Sequence, residues 1–382
     1  MNVLIGADYM PGILDGFNIS HIETIISEEI KNKFEDNDFR ILNLETPITS
    51  YSKPINKCGK SQRTCNNSID ILQYLRIDLL ALANNHIMDY GEVGLRDTIL
   101  ELDKRSIAHV GAGKDIIEAS NPYVVITKDN KKMGIYNCCE HEFNIVTPNS
   151  PGANPYDPLT SFEHIEDLRK KCDYIIVLYH GGKEYYPYPT PNLQKACHKM
   201  IDKGADLVIV QHTHCIGCDE LYHDGTIVYG QGNFYSTGTD QRVRPESLLI
   251  RVDTNSRRIE YIPIRKDKNT IELAHKNDAY SILNSFNKRS EDIKIEGFIE
   301  SSYKDYTMSQ MINYGKYFAV KGSLIDKALN KISRGKYSER KVKSYFTLKR
   351  SLEIENMINC ETHRECIVSI MKQLNSMGKE DK

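Results

Sequence analysis

The chain has 382 residues, 40% hydrophobic and 27% charged, the balance of an ordinary soluble globular protein with enough apolar mass for a sizeable core. The net charge of −2 singles out no partner, and no segment reaches the roughly 18 apolar residues of a membrane helix. Ten cysteines spread singly or as the vicinal pair Cys138-Cys139 are not a small disulfide framework and read as reduced thiols. Charge is uneven along the chain. Residues 271–382 hold 20 Lys and Arg against 15 Asp and Glu, whereas residues 1–270 hold 30 against 37, which argues for two regions with different jobs.

The start, "MNVLIGADYM", lacks the basic opening and long apolar run of a signal peptide and reads as a strand that begins the fold, so a cytoplasmic protein is expected. Buried-strand runs follow in "FRILNLE", "DLLALANNH", "IAHVGAG", "DYIIVLYHGG" and "ADLVIVQHTH". Helical patterns lie between several of them, over 68–76, 91–105, 160–171 and 192–203. This alternation predicts a layered α/β domain. Runs at 123–127/132–137 and 221–223/226–229 predict hairpins, the second turning at "DG", and "ESLLIRVDT" with "RRIEYIPIR" predicts another pair. The sheet is therefore not purely parallel. After Asp267 the chain becomes helix-like and rich in Lys and Tyr, so the expected division is 1–267 and a helical, basic region 268–382.

Polar residues close successive strands. Asp8, Glu45, Asn85 with His86, His180, and His212 with His214 all fall at strand ends, where ligands gather in α/β folds. Singly, each reads as a turn, a cap or a local hydrogen bond. Together, carboxylate, amide oxygen and imidazole suit one or two divalent ions such as Mn, Fe or Zn. Residues i and i+2 of an extended segment share a side, so His212 and His214 can face one cleft. Glu45, with two carboxylate oxygens, is the bridging candidate for a metal pair. His86 is a candidate proton donor, oriented by Asp89 three residues on.

The stretch "VIVQHTHCIGCDE" adds Cys215 and Cys218 to the two histidines, but no second ligand pair stands at knuckle spacing, and these cysteines read as ordinary thiols. The segment 331–350, with eight Lys and Arg and one Glu around Tyr337, Tyr345 and Phe346, reads either as a solvated helix face or as a surface for an anionic polymer.

"NLETPIT", "LANNHIMDYGEVGLRDTI", "VGAG", "HGGKEYYPYPTPNLQ", "GADLVIVQHTH" and "YGQGNFYS" together resemble the CapA family of poly-γ-glutamate capsule synthesis proteins, in the calcineurin-like metallophosphoesterase superfamily. The resemblance runs from about Asn2 to Arg265. It implies a four-layer α-β-β-α sandwich, with the helical region as a C-terminal extension. It also implies metal contact by Asp8, Glu45, Asn85, His180, His212 and His214, with His86 as the acid. Gly232-Asn233-Phe234 would form a loop near the site, and Asn233 and Glu184 are the substrate-contact candidates. Met10, Glu45 and Gln211 depart from the superfamily's usual His, Asp and Gly at their positions.

The expected function is that of a metal-dependent hydrolase of a phosphoester or γ-glutamyl-type amide in capsule polymer synthesis. Its substrate would be a small or polymeric anion, polymer-synthesis proteins would be its partners, and nucleic acid is not expected. A nuclease-type phosphodiesterase and a non-catalytic partner that retains the fold are the alternatives.

Overall fold

The computed structural model describes the chain apart from residues 13–18, 238–241, 268, 321, 360–362, 365, 366, 369, 370 and 372–382. Its strands are β1 (Asn2–Met10), β2 (Phe39–Leu44), β3 (Leu79–Ala81), β4 (Ala108–Val110), β5 (Ala112–Gly113), β6 (Tyr123–Ile126), β7 (Lys132–Cys139) and β8 (Gly152–Ala153). They continue with β9 (Tyr174–His180), β10 (Leu207–Gln211), β11 (Asp219–Tyr222), β12 (Gly225–Val228), β13 (Asn233–Ser236), β14 (Glu246–Asp253), β15 (Ile259–Asp267) and β16 (Thr270–Leu273). The helices are α1 (Glu28–Glu35), α2 (Ser68–Tyr74), α3 (Gly91–Asp103), α4 (Ile116–Ser120), α5 (Ser161–Arg169), α6 (Pro191–Asp202) and α7 (Lys276–Asp292). After these come α8 (Phe298–Ser309), α9 (Met311–Ala319), α10 (Leu324–Ile332), α11 (Lys336–Tyr345) and α12 (Leu348–Asn359).

Two sheets carry the fold. One runs β16-β15-β14-β1-β2-β3-β4 with β13 beside β1; the other runs β11-β12-β10-β9-β7-β6. Side chains alternate along each strand, so one set meets the facing sheet and the other meets helices. Val3, Ile5 and Ile41 from the first sheet and Ile135, Ile176 and Ile209 from the second share the core between the sheets. Leu4, Leu42 and Leu80 pack outward with Ile30 and Phe34 of α1 and with α2. Tyr136, Val177 and Val208 pack outward against α5 and α6. Three apolar interfaces separate four layers, α-β-β-α, and explain why the strands read as unbroken apolar runs.

The central strands β1 to β4 are mutually parallel, as are β7, β9, β10 and β12, while the hairpins occupy the edges. The second hairpin turns one residue earlier than expected, at His223-Asp224, with Tyr222 opposite Gly225 and His223 at φ 50°. Gly111, at φ 92°, lies under the inter-sheet Asn137; a Cβ there would stand 2.0 Å from its Oδ1. That amide accepts from the backbone of Ala83 and donates to Leu178, tying the two sheets together beneath the cleft.

The chain separates into two compact units, Met1–Glu300 and Ser301–Lys382. The expected boundary at 267 falls inside the first. There β16 extends the sheet beside β15, and α7 buries Phe286 in the inter-sheet core while Ser290 accepts a 2.9 Å bond from the backbone of Asp219. A pattern-based boundary misses this because β16 is four residues long and α7 is mostly polar. In the second unit α9 and α11 pack closely: a Cβ on Gly315 would stand 2.5 Å from Val342.

Candidate metal centre

The parallel strands of both sheets deliver their carboxyl ends to one edge, where the polar residues meet. Asp8 lies in β1 opposite Asn43 of β2 and Asn233 of β13, with a register shift in each pairing beside it, and such an irregularity re-aims a side chain. Glu45 directly follows β2, and its backbone N–H donates to Tyr9 at 3.1 Å. His180 closes β9; His212 and His214 follow β10.

The six expected ligands converge. Nε2 of His180 lies 3.4 Å from Glu45 Oε1 and 3.1 Å from Asn85 Oδ1. His214 Nδ1 is 3.5 Å from Asp8 Oδ2, and its Nε2 is 3.8 Å from Glu45 Oε1. The rings of His180 and His212 stand 4.8 Å apart. Three groups of side chains bring ligand atoms within 4.8 Å of one another: Asp8/Glu45/His214, Glu45/His180/His212, and Glu184/His212/His214. Glu45 belongs to two of them. Glu184, expected as a substrate contact, stands among potential ligands.

The histidine pair reaches the cleft by a different route from the one the sequence implied. The backbone is not extended: His212 and His214 have φ of 81° and 52°. Each costs on the order of 1–2 kcal/mol relative to an ordinary conformation. Three bonds hold the turn: His212 N–H to Asp8 Oδ2 at 3.1 Å, Thr213 Oγ1 to the Cys215 carbonyl at 3.2 Å, and Tyr185 N–H to the Thr213 carbonyl at 2.7 Å.

Electrostatics separate the histidines. Burial, reinforced by the fields of His180 and His214, pushes His212 well below its ordinary pKa, so it is a neutral imidazole. Burial also disfavours charge on His214, but Glu45 and Asp8 more than offset it and raise that pKa to about 10. For Asp8, burial acts upward and is outweighed by the hydrogen bond from His214 and the field of His180, leaving the carboxyl below its usual range.

Donor chemistry fits a cation. Glu45 is fully buried, yet neither carboxylate oxygen accepts a hydrogen bond, and Nδ1 of His212 is likewise buried without one. Stripping a carboxylate of water without donors costs several kcal/mol, which a divalent ion bound to its oxygens offsets.

Beside this cluster, His86 Nδ1 is 2.6 Å from Asp89 Oδ2, and the backbone N–H of Gln62 donates to the same oxygen at 2.6 Å. Lys57, its side chain 3% exposed, forms a salt bridge to the other oxygen of Asp89. Asn84 Oδ1 accepts from the His86 backbone at 3.2 Å. Lys57 and Gln62 escaped sequence reasoning because they sit in an irregular segment without period or motif. Asn43 escaped it too, although "ILNLE" displays it one pleat before Glu45; its amide donates to Asp8 at 2.7 Å and lies 3.1 Å from His180 Nδ1.

Asn233 begins strand β13 rather than lying in a loop, because Gly232 at φ 83° makes the turn and β13 then pairs with β1; its Oδ1 lies 2.8 Å from His214 Nδ1. Met10 is buried at the end of β1 and offers no oxygen or nitrogen ligand. Gln211 fills a buried position where its amide lies 3.4 Å from the Gly6 carbonyl. Among the described residues, no cysteine joins the ligand groups. Cys218 is part of the outer core, and burial raises the Cys215 thiol to about 11.

Four α-β-β-α layers thus place a cleft of carboxylates, histidines and an asparagine at the strand ends. Residues 12–238 match the family model described as bacterial capsule synthesis protein PGA_cap, and the chain belongs to that family. The matched segment starts after Asp8 and contains every other expected site residue. The chain is 30% identical over 230 residues to the PGA biosynthesis protein CapA of Bacillus subtilis, covering 59% of this chain and 60% of that one. It is 27% identical over 250 residues to the capsule biosynthesis protein CapA of Bacillus anthracis, covering 62% and 59%. The matches thus span about 60% of the length of these relatives. A solved calcineurin-like phosphoesterase, YfkN of Bacillus subtilis, shares 14% identity at a TM-score of 0.36, covering 79% of this chain and 98% of that one.

Proposed function

We propose that the chain is a metal-dependent hydrolase that cleaves a phosphoester or a γ-glutamyl-type amide in capsule polymer synthesis. The observation that carries this reading is Glu45: a fully buried carboxylate without a hydrogen bond, common to two adjoining ligand groups. Asp8 and His214 would hold one divalent ion and His180, His212 and Asn85 the other, with Glu45 shared. Bound there, such ions polarise the scissile group and supply a nucleophile at neutral pH.

The rest is done by the chain. His86, held by Asp89 through Nδ1, presents Nε2 as the proton donor to the leaving oxygen or nitrogen. Lys57 and the Gln62 N–H keep Asp89 fixed, so the imidazole is oriented before substrate arrives. At the cleft, the Tyr185 ring lies 5.8 Å from that of His214, and the Arg242 guanidinium stacks 4.2 Å from the Tyr185 ring centre. A permanent cation there favours an anionic substrate.

The test is turnover by metal-stripped and manganese-loaded protein on bis-p-nitrophenyl phosphate and on γ-glutamyl-p-nitroanilide. Turnover of either substrate only when loaded supports the reading, and the responsive substrate identifies the bond. Loaded protein inert toward both, and toward polyglutamate, favours the non-catalytic alternative.

A further inference from the structure

Helix α10 is turned the opposite way from an ordinary surface helix. At 3.6 residues per turn, Leu324, Ile325, Leu329 and Ile332 share one face. That face is outward: the four are 84%, 71%, 40% and 80% exposed. The polar face packs inward. Asp326, 7% exposed, closes a capping box with Ser323 and accepts a 2.6 Å bond from the Tyr337 hydroxyl. Asn330 Oδ1 accepts from the Ser338 backbone at 3.2 Å. Rolling the helix to hide its aliphatic side chains would break these bonds to α11 and its N-terminal turn.

The stretch of chain that carries the face is basic. Between Gly322 and Arg350 stand nine Lys and Arg against two acids. Both acids are engaged, Asp326 as above and Glu339 by Lys343 at 2.6 Å. Lys327 and Lys331 are exposed on α10 itself. The aromatic residues of this stretch do not form a stacking platform, because Tyr337 bonds Asp326 and Tyr345 packs on Phe346.

We propose that α10 is an interfacial helix that seats the chain on an anionic bilayer surface, its aliphatic face among the acyl chains and its lysines at the headgroups. A soluble polyanion would neutralise the lysines but leave Leu324, Ile325 and Ile332 in water. A second copy would cover the aliphatic face only by opposing two sets of like charges. An anionic bilayer answers both features. Nine residues span about 14 Å, so the helix lies on the surface, and one such element gives reversible, salt-sensitive binding. The proposal does not depend on the hydrolase reading.

The test is cosedimentation of the full chain with phosphatidylcholine vesicles, with and without about one-third phosphatidylglycerol. Expected is binding to the anionic vesicles that weakens in high salt. It should drop on the order of tenfold or more in I325S/I332S and again in K327Q/K331Q, both at exposed positions and with unchanged circular dichroism. No binding to anionic vesicles overturns the proposal. So does a loss confined to the lysine variant, which would mark a polyanion site, or a dimer in sedimentation that I325S/I332S dissolves.

Discussion

Substituting Glu45 by Gln keeps shape and burial but removes the charge shared by two ligand groups, and its consequences differ with and without metal. In the metal-free protein two large terms oppose each other. A buried carboxylate without hydrogen bonds carries a desolvation penalty of several kcal/mol. Its attraction to a protonated His214, 3.8 Å away, recovers about 4 kcal/mol at an effective dielectric near 20. Glu45→Gln removes both, so metal-free stability should stay within about 2 kcal/mol of the parent. With metal the balance changes. An ion at a thousand times its Kd stabilises the fold by about 4 kcal/mol. At roughly 2–4 °C per kcal/mol, saturating manganese should raise the parent's melting temperature by on the order of 10 °C. Glu45→Gln should lose most of that rise, along with bound metal measured by mass spectrometry. If the variant melts far below the parent without metal yet keeps the full manganese response, Glu45 is a structural carboxylate and the reasoning fails.

His86→Asn should keep its metal and lose about 10²- to 10⁴-fold in turnover, with a smaller loss on aryl phosphates that need no proton, whereas Asn85→Ala should lose metal and recover with added ion; equal metal loss in both refutes the division of roles. Lys57→Met leaves a buried Asp89 short of its cation, so it should destabilise the fold by about 3 kcal/mol in denaturant and lower turnover without changing metal content; loss of metal would contradict this. His214, its pKa raised to about 10, must give up a proton to take a metal, so below that pH affinity should rise about tenfold per unit, with proton release seen by calorimetry in paired buffers; pH-independent affinity refutes the assignment of His214 as a ligand. A chain ending at Glu300 should fold and bind metal like the full chain, whereas one ending at 267 loses β16 and α7 and should not; comparable melting of the two returns the boundary to 267.

What the sequence revealed follows from what leaves a pattern in it. Strands buried on both faces print continuous runs of Ile, Leu and Val, and the polar residue ending each run marks the sheet edge, which is why Asp8, Glu45, His180 and His212 were legible. Pairing between β1 and β13 joins segments 225 residues apart and left no signal, so Asn233 was expected in a loop. The left-handed turns at His212 and His214 were invisible for a related reason: the residues that enforce them, Asp8 and Tyr185, come from other elements. Lys57 shows the same limit, since a buried lysine in an irregular segment is recognisable only from its partner.

An anomalous-difference map from crystals grown with manganese tests the metal centre most directly. The account predicts peaks about 3.5–4 Å apart on either side of the Glu45 carboxylate, one toward Asp8 and His214 and the other toward His180, His212 and Asn85. Manganese bound only at surface carboxylates, with nothing within coordinating distance of Glu45, would contradict it.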